Sequence, residues 1–392
     1  MIFLKKKVRI DGRPGVSAYF EELERLGVRD IEDSRMLPEM REGFHSFDSR
    51  PSNMPLEHCV ESWCARQAIG FMDRARSENR PFCMEVAFPR PHHQLTPDKQ
   101  FWDMYPKEID LPSTLTADAT HRPPHFQRQV KALHTNDWLF EPKTFEAGCR
   151  RVWRGYLACI SQVDWAIGRI LDHLAAIGMD KDTIVVYSAD HGAYHGEYGI
   201  PEKAPGICSE AVCRIPMIWR VPGVSVEGSV SRQFVESVDL ASTLPALCGL
   251  PAMETTDGKD ITSLLQGDQE AVRDCAVTEN PWSKAIRWDR WRFVHYPAGM
   301  FGSQECCELY DIEADPTESR NLATDPAHAS VVAESRRRLL DCIITTSRPV
   351  TVHPSFDDKE PGRHNFDIAA DGRESNLAGP RLRLAKDKLE YL

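Results

Sequence analysis

The chain has 392 residues, 41% hydrophobic and 27% charged, with a formal net charge of −11. That length is enough for a large core in two or three domains, and the acidic balance argues against nucleic acid or a polyanionic membrane surface as partner. The short apolar start before Lys5 is no signal-peptide core and no stretch of about 18 apolar residues occurs, so a cytoplasmic protein without membrane spans is expected.

The 12 cysteines are scattered and form no C-x-x-C pair. A zinc ribbon or thioredoxin-like motif is thereby set aside, leaving reduced, semi-buried thiols as the expectation.

Taken in order, a first helix is predicted around Ala18–Leu26, ended by Gly27. Trp63, Ala65, Ile69, Phe71 and Met72 recur at helical spacing through residues 61–81, and Pro81 stops them. "PFCMEVAF" (81–88) then reads as a strand, closed by "PRPHHQLTP". Residues 97–145 are rich in Pro, His and Asp with little periodicity, which suggests a long surface excursion.

The strongest helix is predicted over 148–178, with Val152, Tyr156, Ile160, Val163, Ile167, Leu171 and Leu174 as its apolar stripe and Gly178 as its cap. "TIVVYSAD" (183–190) reads as a strand buried on both faces, and "RIPMIWRVPG" (214–223) as another. A helix follows over "LASTLPALCG", with Asp239 at its N-cap. Strands alternating with crossover helices imply an α/β fold, a doubly wound, mostly parallel or mixed sheet. Residues 275–312 look like short antiparallel strands, followed by a helix at about 326–345. The expected organisation is an α/β domain over 1–270, a small α+β subdomain over 271–347 and an extended tail over 348–392. The tail is too polar for a core of its own, and an arm joining a homo-oligomer is expected of it.

Ligands of open α/β sheets bind at the carboxyl ends of strands, where Asp190 and His191 stand before Gly192. A carboxylate beside an imidazole can ligate a divalent cation, or can equally be a turn acid and a loop histidine. Lys203 is either an anion contact or a surface lysine. His92, with its near-neutral reference pKa, is either an acid–base group or, like His93 beside it, a loop residue. Glu210 and Arg214 stand at helix-pair spacing, and Asp164 reads as a helix-surface group.

The order of these segments carries more than any one of them. "RPFCMEVAFPRPHHQLTP", "YLACISQVDWAIGRILDHL", "TIVVYSADHG…HGEYG…K", "EAVCRIPMIWRVPG", "VESVDLASTLPALCGLP", "DGKDITSLL" and "CELYDIEADPTESRNLA" together resemble the sulfatases of the alkaline-phosphatase-like superfamily. The resemblance runs from about residue 55 to 345. It implies hydrolysis of small-molecule or glycan sulfate esters, with Asp190 and His191 on a divalent metal, calcium before manganese. It implies a sulfate contact for Lys203, and contact with the sulfate and leaving oxygen for His92, whose loop carries Gln94 where the family has a second proline.

The family nucleophile, a formylglycine made within C-x-P-S-R, has no counterpart: Cys59 is followed by "VESW" and Cys64 by "ARQA". The family's early strand of paired metal-binding aspartates and its G-K-x-H stretch are not found either. A truncated hydrolase is therefore expected. Phosphonate or phosphate ester hydrolysis and a non-catalytic anion-binding protein are the alternatives.

Overall fold

The structure is a computed structural model that describes residues 18–28, 49–92, 94–135, 145–200, 203, 206–253, 256–280, 282–299 and 304–346. The chain divides into two compact units, Met1–Leu339 and Leu340–Leu392. Every described strand and helix belongs to the first, apart from the last turns of the final helix. The tail from Arg348, and with it the expected oligomer arm, lies outside the described residues.

In chain order the helices α1 (Ala18–Arg25), α2 (Val60–Ser77), α3 (Lys99–Trp102), α4 (Pro124–Thr135) and α5 (Phe145–Ala176) precede strand β1 (Val185–Ser188). Then come α6 (Glu210–Cys213), β2 (Met217–Arg220), α7 (Leu240–Leu247), α8 (Thr262–Leu265), β3 (Cys275–Glu279), β4 (Lys284–Trp288), β5 (Trp291–Tyr296), β6 (Cys306–Asp311) and α9 (Ala329–Thr346). No described helix is long and apolar enough to cross a membrane.

Helices α2 and α5 pack together. The large aliphatics of α5 do not all face inward: Val152, Val163 and Leu174 are buried, but Ile160 is 38% exposed. The buried positions of α5 include instead Gly155, Ala158, Cys159, Gln162 and Ala166, and those of α2 include Ala65, Ala68 and Met72. Small residues let two helix axes approach closely. A Cβ on Gly155 would overlap Ser49 Oγ, which fixes where the chain before α2 can run. Tyr19 and Leu23 of α1 join Trp63 and Cys64 in a second cluster, and Trp63 Nε1 donates to Glu22 Oε2 at 3.1 Å.

Residues 82–88 alternate as a strand should, with Phe82, Met84, Val86 and Phe88 turned partly inward and Cys83, Glu85 and Ala87 outward. No ladder is assigned along them, so among the described residues they form an extended segment rather than a paired strand. Val86 and Phe88 pack on the Trp63 cluster. The expected excursion over 97–145 contains α3 and α4, with Phe101, Trp102 and Phe126 buried; residues 136–144 lie outside the described set.

β1 and β2 pair antiparallel in a two-stranded sheet, Val185 opposite Arg220 and Ser188 opposite Met217. The one described parallel pairing is an isolated bridge, Ser49 with Leu95. The α/β class and mixed pairing are thus present, but β1 is not buried on both faces: Tyr187 is 40% exposed and its cross-strand partner Ile218 62%.

β3 to β6 form a four-stranded antiparallel meander. Ile286, Phe293 and Leu309 are fully buried and meet through register, Ile286 opposite Phe293 and Phe293 opposite Leu309. Period-2 alternation places Arg292, Val294, Tyr296, Glu308 and Tyr310 on the other face. There Arg122 donates to Glu308 Oε1 at 3.0 Å and faces Glu318 Oε2 at 3.5 Å, while Tyr296 and Tyr310 hydroxyls donate to Glu308 at 2.6 and 2.7 Å. Arg292 ion-pairs with Glu318. Buried charges survive only when paired and hydrogen-bonded, and these are.

Two sequence expectations change here. Glu210 pairs with Arg287 at 3.3 Å, and Arg214 is exposed. Asp239 precedes α7 but makes no side-chain cap to it: it is fully buried, accepts from Glu236 N at 2.8 Å and Lys259 N at 2.7 Å, and ion-pairs with Arg273. Asp164 is exposed, as read.

Candidate active site at the carboxyl end of β1

β1 ends at Ser188, and the chain turns at once through Asp190, His191 and Gly192. Asp190 Oδ1 accepts the His191 backbone N–H at 3.0 Å. His191 Nδ1 lies 2.8 Å from Gly192 O, and because a carbonyl only accepts, that nitrogen carries the proton. The neutral ring's lone pair then sits on Nε2, 3.8 Å from Asp190 Oδ2. Metal–ligand bonds of about 2.1–2.4 Å can bridge that separation. Asp190 is exposed and His191 half-exposed, so both atoms are accessible.

The turn is held from below. Gly192 N donates to Val212 O of α6 at 2.8 Å, and a Cβ at Gly192 would run into Ala211 O. Glycine is needed there for close backbone approach, not for a left-handed φ.

His92 is exposed at the end of the extended segment, its N–H donating to Pro89 O at 3.1 Å. Its loop is rigidly based. Arg90 is buried, donates to Glu61 Oε2 at 2.9 Å and Thr96 Oγ1 at 3.1 Å, and follows Pro89 into a cis bond with Pro91. Gln162 of α5 donates to the same Glu61 oxygen at 2.7 Å and accepts from Asp98 N at 2.7 Å. One carboxylate thus clamps α2, α5 and the His92 loop, a role that Gln94 in place of proline does not have to fill. His93 lies outside the described residues.

Lys203 is half-buried beyond the loop 192–200. His195 and Tyr198 hold left-handed φ of 46° and 53° in that loop, costly for residues with a Cβ. Packing holds the conformation: Tyr198 OH donates to Glu318 O at 3.0 Å, Tyr198 N to Thr114 O at 3.0 Å, and Phe126 meets Tyr194 and Tyr198 edge-on. Glu318 Oε1 also accepts from Glu210 N at 3.1 Å, at the start of α6.

Asp190 and His191 are therefore brought together, and each of the other two candidates stands at the end of an anchored segment. Sequence reasoning missed the anchors, Glu61, Arg90, Gln162 and Glu318. Glu61 and Gln162 carried a signal as polar residues among apolar neighbours on their helices, whereas Arg90 and Glu318 lie in loops and carried none. A shallow concavity of about 520 Å³ beside α4 is lined by Asp118, Thr120, Gln127, Arg128 and Lys131, and contains none of the four candidates.

The family implies a divalent metal. Among the described residues no group of three or more His, Cys, Asp or Glu is gathered to hold one. Asp190 and His191 fit as two ligands, and do not themselves make the shell of about six to eight oxygens that calcium takes.

Comparison with known proteins agrees with the order of segments. The sulfatase family profile matches residues 37–250, and that of the N-sulphoglucosamine sulphohydrolase C-terminal region matches 196–344. The chain is 29% identical over 275 residues to the choline-sulfatase of Rhizobium meliloti (strain 1021), covering 68% of this chain and 51% of that protein. It is 26% identical over 300 residues to an arylsulfatase of Clostridium perfringens (strain 13 / Type A), covering 76% and 60%. The chain thus spans about half to three-fifths of the curated relatives it matches.

Among solved structures, the phosphonate monoester hydrolase of Silicibacter pomeroyi superposes with a TM-score of 0.70 at 21% identity, over 84% of this chain and 69% of that one. A protein solved with its substrate D-glucosamine-2-N,6-O-disulfate gives 0.64 at 22%, over 73% and 70%. At such identities the likeness is one of fold. With its profile match over more than half of the sequence and its strand-end acid and imidazole in place, this chain belongs to the sulfatase family.

Proposed function

We propose that the chain supplies the metal-binding and anion-binding part of a sulfatase-like hydrolase of sulfate monoesters, small-molecule or glycan. The observation that carries this is the Asp190–His191 turn at the end of β1, with its Nε2 and Oδ2 accessible and 3.8 Å apart. Asp190 and His191 are two ligands of a divalent cation, calcium before manganese. The cation, when bound, offsets the negative charge of the ester and of the group attacking it.

The chain's own groups account for the rest of the charge. Lys203 sets a fixed ammonium against the sulfate oxygens. His92 as imidazolium hands its proton to the leaving oxygen as the S–O bond breaks, so that an alcohol rather than an alkoxide departs. The sequence contains no C-x-P-S-R run, and relatives extend well beyond the matched length, so the nucleophile is assigned to a segment additional to these residues.

The test is reconstitution. The chain joined to a C-x-P-S-R-bearing segment from a sulfatase relative, matured and given calcium, is expected to hydrolyse an aryl sulfate. Asp190→Asn and His92→Ala should each then lower kcat/KM by about 100-fold or more. A reconstituted enzyme indifferent to both substitutions would end this reading. The likeness to a phosphonate monoester hydrolase supports a second reading, and aryl phosphonate turnover exceeding aryl sulfate turnover in the same preparation would favour it. Millimolar calorimetry of the 392-residue chain with calcium and a sulfate ester addresses the non-catalytic alternative.

A further inference from the structure

Beneath the candidate turn lies a pair of thiols that the proposed hydrolysis does not use. Cys208 is 1% exposed, and Cys213, the last residue of α6, packs against it in one cluster with Ala285, Val294 and Tyr296. Both are reduced. The short span between them is tightly folded, with Val212 N and Cys213 N donating to Ser209 O at 3.1 and 2.8 Å.

The surroundings of the Cys208 sulfur are those of an anion. Asn280 Oδ1 accepts from Trp282 N and Ser283 N, both at 2.8 Å, which fixes the amide so that its NH₂ points the other way. That Nδ2 donates to Cys208 Sγ at 3.0 Å and to Ser283 Oγ at 2.8 Å. Ser283 Oγ stands 3.5 Å from the sulfur and donates its own hydrogen to Gly206 O at 2.8 Å, so the amide of Asn280 is the donor that the sulfur keeps. The Arg292 guanidinium donates to Cys208 O, bringing a buried positive charge to the same residue. The Cys213 thiol, together with Ser283, Arg292 and Asn280, outweighs burial and brings the Cys208 thiol down to about 7, while Cys213 is held above its ordinary value. Elsewhere burial dominates: Cys64, Cys149 and Cys159 are each pushed up to about 12. One thiol in this protein is prepared as a nucleophile, and a second thiol rests against it.

We propose that Cys208 and Cys213 form a peroxide-oxidisable pair, with Cys208 attacking and Cys213 resolving. The Cys208 thiolate attacks one oxygen of hydrogen peroxide, the O–O bond breaks, and the departing hydroxide takes a proton to leave as water. The product is a sulfenic acid on Cys208. The Cys213 sulfur then attacks the Cys208 sulfur, the S–O bond breaks, and a second water leaves with the Cys213 proton. Two thiols are oxidised to a disulfide and one peroxide is reduced to two waters. Burial of Cys208 excludes bulky disulfides, so the oxidant is taken to be the small hydrogen peroxide molecule. Because Ala211 and Val212 of α6 hold the Gly192 turn, drawing Cys213 onto Cys208 moves the platform under Asp190 and His191. The thiol chemistry itself does not depend on the hydrolase reading.

Both cysteines fall in one tryptic peptide, residues 204–214, between Lys203 and Arg214. The full chain is treated with hydrogen peroxide at pH 7, alkylated and digested without reductant. That peptide is expected to lose two hydrogens and resist alkylation, about tenfold faster than Cys64, Cys149 or Cys159 lose theirs. The same reaction in urea should be slower than in the folded chain. With dimedone present, Cys213→Ser should collect the adduct on Cys208, whereas Cys208→Ser should leave Cys213 alkylatable. Full alkylation of both thiols in the native chain after peroxide, or no advantage over the urea-unfolded chain, would overturn the proposal. Those two readings need only the unsubstituted protein.

Discussion

The two sheets among the described residues solve burial in opposite ways. The meander β3–β6 is covered on both faces, one apolar around Phe293 and Leu309, the other an ionic and phenolic network around Glu308. The pair β1–β2 stands half-covered, with Tyr187 and Ile218 exposed side by side across the strands, yet it is this pair that carries the candidate ligands. Charge is thus buried where it holds the structure and exposed at the candidate site. The difference shows that the anchored sheet restrains the open one through Glu318, which touches both α6 and the strained Tyr198 loop.

The sharpest way to break this contrast is to remove one charge from the covered sheet. Glu308→Ala leaves two phenol hydroxyls without their acceptor and Arg122 with the longer Glu318 contact, and should cost about 3–5 kcal/mol in urea unfolding followed by tryptophan fluorescence. A loss under about 1 kcal/mol would mean the network is not what holds the meander.

Gly192→Ala comes next. Its methyl must displace Ala211 O, so a loss of about 1–3 kcal/mol is expected, with faster amide exchange confined to residues around 190–192 and α6. Uniformly unchanged exchange would show that the turn is not held by α6.

Acid sharpens the same contrast. Burial pushes the Glu308 carboxyl up, but Arg122, Arg292 and the hydroxyls of Tyr296 and Tyr310 outweigh it and hold it below its ordinary 4.5. A group depressed on folding contributes its full stability above 4.5 and loses it as pH falls toward the folded value. Stability should therefore decline below about pH 4.5, and Glu308→Gln should flatten that acid limb. The smallest effect is expected on the open sheet: Ile218→Thr should stay within about 0.5 kcal/mol of the parent, since its side chain already faces solvent.

The helices α2 and α5, the meander strands and the strand-end turn are legible in the sequence because periodicity and punctuation are local. The position of Asp190 and His191 follows from β1 ending there. The buried face of α5 departs from its stripe of large aliphatics in part because Ser49 and Leu95, distant in sequence, approach where Gly155 leaves room. Glu61, Arg292 and Glu308 are hidden in the sequence because a charge reads as a surface group until its partner, distant along the chain, is known. Arg122 and Glu308 meet only after the chain has folded across both sheets. Glu308 and Tyr310 share one strand face with Cys306, and an acid on the inward side of "CCELYD" is the local mark of a buried ionic network.

The Tyr187–Ile218 pair has a consequence for the protein as a solute. Two apolar side chains displayed together on a short ribbon invite a second molecule to stack there, and at neutral pH the chief restraint is repulsion between chains each carrying −11. Salt shortens that repulsion to about 8–10 Å at physiological strength. Turbidity should therefore rise with ionic strength, the reverse of proteins that salt keeps apart.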